Sequence, residues 1–496
     1  MKTKLISLFM AVMLFGCGGQ SESGGSSVSI GEKDTESKQP NVIIIFTDDH
    51  GYADLGSQNQ VSDIHTPNID LLANNGVRFS NGYVTAPQCA PSRAGLLTGK
   101  YQQTFGFDEN KHGPLDKKVP TIADAYKELG YTTGMMGKWH LEVTNSSLEW
   151  ANSNAPGLKP FKAADLPIET RKNYFPDSMG FDFTVMGYEQ WYWRNFDNNG
   201  RLVEASYQRT DDYRIDHVND AAVDFIRLNQ DSPFFLYVAP YGPHVPLQAI
   251  EKDLALFSDD MPTRRKYALA MLYAIDRGVG KIMSALEEYQ LLDNTLIFFV
   301  SDNGAPLGRT MEDEPLTRYG VWDGSLNIPL AGEKGMLTEG GIKVPFIAYW
   351  QGKLQAGLVV DTPVVTLDIA KTALSLAGMP SEKLESYDGE ELLPLMTKGG
   401  ETETLIERPI FWRFYEQRAI RKGDWKYLQA GVARKYLFNL KDDPEERINL
   451  IQDYKEKAAE LKDIYEQWDK DNKRVDPYKE LFKPFANQYD FYMPTS

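Results

Sequence analysis

The run Asn41-Val-Ile-Ile-Ile-Phe-Thr47 constrains this chain more than any other feature. Five of its seven residues are β-branched and none is charged. A strand with one wet face would alternate apolar and polar positions, so this one is expected to be covered on both faces, as at the centre of a parallel sheet. Similar short apolar runs recur at 132–137, 234–239, 296–300 and 344–349. Helical patterns lie between them at 121–129, 217–229 and 264–291. In the last of these Ala268, Met271, Ile275, Val279, Ile282 and Leu286 recur at three- and four-residue steps, which makes one apolar stripe. Strands alternating with helices over this length predict a mostly parallel sheet with helices on both faces.

Near residue 400 the pattern changes. Short strand-like runs at 409–412, 417–421, 425–429 and 435–439 are separated by brief turns, and a charged helical stretch at 454–472 follows. The predicted fold class is therefore α/β: a large mostly parallel sheet sandwiched by helices over 40–395, then a smaller C-terminal antiparallel sheet with a helix over 396–496. With 496 residues, 42% of them apolar, the chain has the length and the core material for both.

Residues 1–17 read as an export leader. Lys2 and Lys4 precede a short apolar run, and Leu14-Phe15-Gly16-Cys17 resembles a bacterial lipobox. Cys17 is then the expected lipid anchor, and the Gly-, Ser- and Glu-rich stretch 18–39 a flexible tether. The expected location is the bacterial cell envelope, in the periplasm or as an outer-membrane lipoprotein, with membrane attachment only through the N-terminal lipid. The chain has two cysteines, so loss of Cys17 to an anchor leaves Cys89 without a disulfide partner.

Chemistry gathers just past the buried strands. The run at 41–47 ends in Asp48-Asp49, and 132–137 runs into Lys138-Trp139-His140. The run at 234–239 leads to Pro243-His244, and 296–300 to Asp302-Asn303. Ligands bind at the carboxyl ends of parallel strands, so these groups are expected on one rim. Asp48, Asp49, Asp302 and Asn303 offer oxygen ligands, which suit a hard cation such as Ca²⁺, with Mg²⁺ as the other choice. Cys89, with Pro91 just after it, looks like the mouth of a helix, where free N–H groups favour an anion and Arg93 adds a forked donor. Read from the residues alone, Cys89 is either a nucleophilic thiol of lowered pKa or an inert buried one.

The stretch Cys89-Ala90-Pro91-Ser92-Arg93-Ala94-Gly95-Leu96-Leu97-Thr98-Gly99 resembles the signature of the formylglycine-dependent (type I) sulfatases of the alkaline-phosphatase-like superfamily. Asp48-Asp49, Gly137-Lys138-Trp139-His140, Pro243-His244-Val245-Pro246, Asp302-Asn303-Gly304 and the segment from Gly332 to Gly341 match the family's other motifs in order. Lys343 stands where that family often carries arginine, and Ala331 and Glu333 are less usual neighbours of Lys334. The resemblance implies that a maturation enzyme, either formylglycine-generating or of the anaerobic type, oxidises Cys89 to formylglycine (3-oxoalanine). It also implies that the Cys89-derived group, Asp48, Asp49, Asp302 and Asn303 hold calcium. Arg93 would steady residue 89, and Lys138 and Lys334 would hold the sulfate. His244 would protonate the leaving alcohol, and His140 would take a proton from residue 89 as sulfate leaves.

The implied activity is hydrolysis of sulfate monoesters, on a sulfated carbohydrate, with release of inorganic sulfate. A phosphonate or phosphate ester hydrolase of the same superfamily is the alternative, and a non-catalytic glycan-binding lipoprotein a third reading. The net charge of −17, from 53 basic and 70 acidic side chains, excludes the basic footprint of a nucleic-acid binder. It also requires a locally positive pocket if an anion is to enter. The aromatic-rich stretch 188–196 alternates poorly as a strand; its rings suit a sugar face, and Arg194 is a candidate partner for a second sulfate.

Overall fold

The computed structural model describes residues 39–308, 311, 322–398, 407–473 and 480–494. The leader at 1–17, the anchor candidate Cys17 and all but the last residue of the 18–39 tether lie outside the described residues. The described residues form one compact unit.

In chain order the strands are β1 (Asn41–Thr47), β2 (Val77–Phe79), β3 (Gly82–Tyr83), β4 (Thr132–Gly137), β5 (Phe183–Tyr188) and β6 (Trp191–Phe196). Then come β7 (Leu202–Arg209), β8 (Phe234–Ala239), β9 (Thr295–Ser301), β10 (Phe346–Tyr349), β11 (Leu358–Val360) and β12 (Val364–Val365). Ten of them form one sheet in the order β11-β2-β10-β9-β1-β8-β4-β5-β6-β7. The central five, β9 through β5, are all parallel, whereas β10, β6 and β7 pair antiparallel with their neighbours. The run at 344–349 is thus a strand, as expected, but one that reverses direction.

β1 is buried on both sides because helices cover both faces. Val42, Ile44 and Phe46 join one apolar cluster with Ala94, Leu97, Ile122 and Ile369, and Ile43 and Ile45 join another with Ile215, Ile275 and Ile282. Each fully buried side chain of this size contributes about 2 kcal/mol of apolar transfer, which outweighs the low propensity of any single turn between elements. The predicted helix at 264–291 runs over Thr263–Glu288 and faces that second cluster with its apolar stripe.

The stretch 188–196 is strand after all, a correction to its reading as non-strand. β5 and β6 form a hairpin in which Tyr188 pairs with Trp191, and Glu189 turns with φ 57°. Alternation is hidden there because both faces of β6 are covered: Tyr192 packs into one cluster and Trp193 into the other.

The C-terminal sheet comprises β13 (Pro409–Phe414), β14 (Gln417–Lys422), β15 (Trp425–Ala430) and β16 (Arg434–Asn439), antiparallel throughout, with the helix Lys455–Asp469 against it. Trp412, Ile420 and Leu428 belong to the same apolar cluster as Val84 and Leu97. A buried ionic knot also joins the sheet to the rest. Lys426 Nζ lies 2.8 Å from Glu339 and 2.9 Å from Glu446, and all three side chains are shut off from solvent. The helix Leu393–Lys398 spans the expected boundary at 395/396.

Candidate active site

Parallel register brings the strand ends together. Thr47 of β1 stands opposite Ser301 of β9, so Asp48 and Asp302 leave neighbouring strands side by side. The Asp302 N–H donates to the Thr47 carbonyl (3.1 Å), the Asp48 N–H to that of Gly242 (3.1 Å), and the Lys138 N–H to that of Ala239 (2.8 Å). Gly137 makes the last turn possible: its φ is 113°, and a Cβ there would lie 2.1 Å from the Ala239 carbonyl oxygen. Asp49 and His140 sit in the left-handed region at φ 60° and 61°. For residues with a Cβ such backbone costs roughly 1–3 kcal/mol and gathers at working sites.

Cys89 begins the helix Cys89–Thr98, every residue of which is buried. Its Sγ lies 3.5 Å from Asp48 Oδ1 and 4.0 Å from Asp49 Oδ1. One helical turn on, Arg93 donates to Asp302 Oδ2 from Nε (3.0 Å) and Nη2 (2.7 Å). Its Nη1 donates to the Lys138 carbonyl and the Tyr237 hydroxyl, both at 3.1 Å. Lys138 Nζ donates to both oxygens of Asp48 at 2.7 Å, and Lys334 Nζ to Asp49 Oδ2 at 2.8 Å. His244 approaches Asp49 through Nε2 (3.5 Å), and its Nδ1 lies 2.6 Å from the Val245 carbonyl oxygen. The Asn303 amide donates to Asp49 Oδ1 at 2.6 Å. Apart from His140, which lines one cavity with Lys138 and His244, the sequence-derived residues are thus linked directly.

Electrostatics follows from burial and this pairing. Burial pushes the Asp48 carboxyl up, but Lys138, His244, Arg93 and Lys334 outweigh it and hold the acid well below its ordinary range. Burial lowers His140 well below an ordinary imidazole, and Lys138 and Arg93 lower it further. Burial also lowers His244, against the opposing pull of Asp48 and Asp49. The Cys89 thiol is pushed far up, by burial and then by Asp302. This direction is opposite to that of a thiolate of lowered pKa and favours the reading of a buried, protonated thiol.

Asp48, Asp49, Cys89 and His244 each offer a ligand atom, all within 4.8 Å of one another. Among the described residues the buried Asn303 Oδ1 has no hydrogen-bond partner, and Asp302 Oδ1 accepts a single 3.1 Å bond, from the Asp49 N–H. Three buried carboxylates and an amide oxygen fit a hard divalent cation. Asp48, Asp49 and Asp302 face three fixed cations, Arg93, Lys138 and Lys334. A divalent cation would therefore leave the pocket net positive despite the acidic chain.

Sequence reading missed Asp323, a buried acid whose Oδ2 lies 3.4 Å from the Val245 N–H and whose carboxyl is pushed well up by burial and then by Asp49. No strand run precedes it, so no strand-end signal marked it. It missed Tyr237 too, which sits inside β8 as one more buried ring. Arg194 is a correction: its guanidinium packs over Phe196, 4.4 Å from the ring centroid, and its Nε donates to the Phe196 carbonyl. His50 is structural, buried and 2.6 Å from the Asp54 carbonyl oxygen through Nε2. Glu333 accepts from the Leu307 and Gly308 N–H groups, which explains an acid beside Lys334.

A model of the sulfatase family matches residues 40–379, and a model of the C-terminal part of N-sulphoglucosamine sulphohydrolase matches residues 332–473. The dog N-acetylgalactosamine-6-sulfatase is 32% identical over 414 residues, covering 78% of this chain and 71% of that protein. The N-acetylgalactosamine-6-O-sulfatase of Bacteroides thetaiotaomicron is 27% identical over 507 residues, covering 87% of this chain and 93% of its own length. Among solved structures, Ps i-CgsB in complex with k-i-k-neocarrahexaose superposes with a TM-score of 0.70 at 29% identity, covering 91% of this chain and 97% of that one.

Proposed function

We infer that this chain, which belongs to the sulfatase family and is a sulfuric ester hydrolase, removes sulfate from a sulfated carbohydrate with residue 89 as formylglycine and calcium beside it. The observation that carries this reading is the position of Cys89, its Sγ 3.5 Å from Asp48 and 4.0 Å from Asp49, the two acids that Lys138, Lys334 and His244 also approach. Relatives named N-acetylgalactosamine-6-sulfatase and N-acetylgalactosamine-6-O-sulfatase, and a similar structure in complex with k-i-k-neocarrahexaose, support a carbohydrate substrate.

Asp48, Asp49, Asp302 and Asn303 would hold the cation, which when bound supplies Lewis-acid polarisation of the ester. Formylglycine at position 89 would supply, as its hydrate, an oxygen nucleophile that a buried, protonated thiol cannot. Arg93, fixed by Asp302 and Tyr237, holds residue 89 and its helix in place. Lys138 and Lys334 bring two ammonium groups to the position of the sulfate, where they offset negative charge as it builds. His244 keeps Nδ1–H on the Val245 carbonyl, so Nε2 can pass a proton to the departing alcohol only when the ring carries its second proton, the form that neighbouring Asp48 and Asp49 favour. His140, held neutral by burial and by Lys138, is suited to accept a proton beside residue 89. Residue 89, Arg93 and Asp302 are buried, so the charges of Arg93 and Asp302 act in a poorly screened setting.

Export to the envelope with a lipid on Cys17 is part of the same reading, supported by the charged start and lipobox-like end of residues 1–17. Among the described residues no helix is long and apolar enough to cross a membrane.

Two measurements on the purified protein test this reading. Mass spectrometry of the Cys89 peptide after expression with a maturation enzyme should show sulfur replaced by oxygen with loss of two hydrogens. Parallel assays on sulfate, phosphate and phosphonate esters should show dominant sulfate release. Faster phosphate or phosphonate turnover would replace this assignment with the other ester class.

A further inference from the structure

The loop that carries His244 is held from behind by a buried charge that the reaction leaves unused. Arg214 opens the helix Arg214–Leu228, and the next residue, Ile215, is fixed in an apolar cluster. Arg214 Nη2 donates to the His244 carbonyl at 2.9 Å and to the Pro246 carbonyl at 2.7 Å. One nitrogen thus brackets Val245. The Val245 carbonyl, between those two in the chain, accepts from the Tyr188 hydroxyl at 2.6 Å and lies 2.6 Å from His244 Nδ1.

The surroundings of Arg214 are costly for a residue that only fills space. It is 2% exposed. Among the described residues it meets carbonyl oxygens and the rings of Tyr188 and Tyr241, whose centroids lie 5.3 and 5.8 Å from the guanidinium, and it pairs with no carboxylate. A charge buried without a counter-charge is expensive, and an apolar side chain of similar length would occupy the same volume at lower cost. Contact with aromatic faces offsets only part of that. What an apolar side chain cannot do is fix the two carbonyls on either side of Val245.

Those carbonyls matter because the His244 ring is oriented by its own backbone. The Val245 carbonyl keeps a proton on Nδ1, so Nε2 is the nitrogen turned toward Asp49, at 3.5 Å. The partner of one imidazole nitrogen decides what the other can do. A turn of the Val245 peptide would take away the acceptor that sets both the rotation of the ring and its tautomer.

We propose that Arg214 is a positioning residue for the reaction: by clamping the His244 and Pro246 carbonyls it holds the Val245 carbonyl where it orients His244, so that the proton given to the departing alcohol leaves from Nε2. Arg214 acts only through His244. The proposal deepens the sulfatase reading above and rests on it, with His244 as the acid.

The test uses two aryl esters, nitrophenyl sulfate and phenyl sulfate, which differ in how much the departing oxygen needs a proton. Matured wild type, His244→Gln and Arg214→Met are compared on both. His244→Gln should lose about 10²-fold more kcat on phenyl sulfate than on the nitrophenyl ester, because a general acid matters most to the poorer leaving group. Arg214→Met should show the same bias, about tenfold, with KM changed less than kcat. A loss in Arg214→Met that is equal on the two esters, beside a biased loss in His244→Gln, would overturn the proposal and leave His244 as the acid. An equal loss in His244→Gln would overturn the acid role itself. Nitrogen NMR of isotope-labelled histidine rings reads the same point without turnover, with the His244 signal identified by its absence from His244→Gln. The neutral ring should carry its proton on Nδ1 in wild type and become a mixture of tautomers in Arg214→Met. The same single form in both would overturn the proposal. Tyr188→Phe removes a hydroxyl donor to the same carbonyl and carries both readings if Arg214→Met does not fold.

Discussion

Lys138 Nζ stands 2.7 Å from each carboxylate oxygen of Asp48, a buried ammonium closed onto a buried acid. The two residues follow β4 and β1, which are separated in the sheet by β8. Their contact therefore exists only because three parallel strands end at one level. Substituting Lys138 by Met should lower kcat/KM for sulfate esters by about 10²–10³-fold, the usual effect of removing one preorganised charge from a transition state. It should also lower the thermal midpoint, because Asp48 stays buried without its partner. Steady-state kinetics and calorimetry on the same preparation check both parts. Unchanged kcat/KM would remove Lys138 from the site.

Calcium is expected to stabilise the fold, because three carboxylates and the unpartnered Asn303 oxygen exist as a set only in the folded chain. At a free concentration about 100 times Kd the gain is about 2.7 kcal/mol, readable as a rise in the urea midpoint and reversed by a chelator. Asn303→Ala should shrink the rise. No shift at any calcium concentration would count against a cation at these residues.

Before maturation the Cys89 thiol should resist alkylation. It is 1% exposed, and its pKa is raised by burial and by Asp302. Mass spectrometry after iodoacetamide treatment at pH 8 should find the peptide unmodified in folded protein and fully modified in urea. Rapid labelling of the folded form would restore the thiolate reading.

Lys426 between Glu339 and Glu446 makes a strong prediction about stability. Lys426→Met leaves two carboxylates buried without their shared cation and should cost about 3–5 kcal/mol. Equilibrium urea unfolding measures it, and a loss below about 1 kcal/mol would show that the knot is solvated.

The same knot predicts a pH dependence. The Glu446 carboxyl is pushed up to about 7, by burial against the pull of Lys426. A raised acid binds its proton more tightly folded than unfolded. Its contribution is fully present below the ordinary value of 4.5 and is lost as pH rises through about 7. Glu446→Gln should therefore flatten the decline in thermal midpoint between about pH 5 and pH 7 relative to wild type. Parallel slopes in the two proteins would contradict the assignment.

The amino-acid order by itself determined the buried strands, because β-branched runs without charge have few other ways to be covered. It determined most of the site candidates as well, because Asp48, Asp49, Lys138, His140, His244, Asp302 and Asn303 follow such runs and Cys89 opens a helix, whereas Lys334 came from the family resemblance alone. Asp48, Lys138, His244 and Asp302 could be placed on one rim without coordinates, since parallel strands share a carboxyl end. What it left open depends on partners far apart in the chain. Nothing near Asp48 announces Lys138 as its neighbour, and nothing near Lys426 announces Glu339 and Glu446. The hairpin of β5 and β6 was hidden for a related reason: rings cover both faces of β6, so no period of two survives in its sequence. Arg194 looked suited to a ligand but folds back onto Phe196, while Arg171, on a helix of four residues with no periodic signal, lines the cavity. Local pattern fixes which backbone is buried. Only tertiary packing decides which charged side chains meet, because their energies depend on distances between segments that the order of residues does not encode.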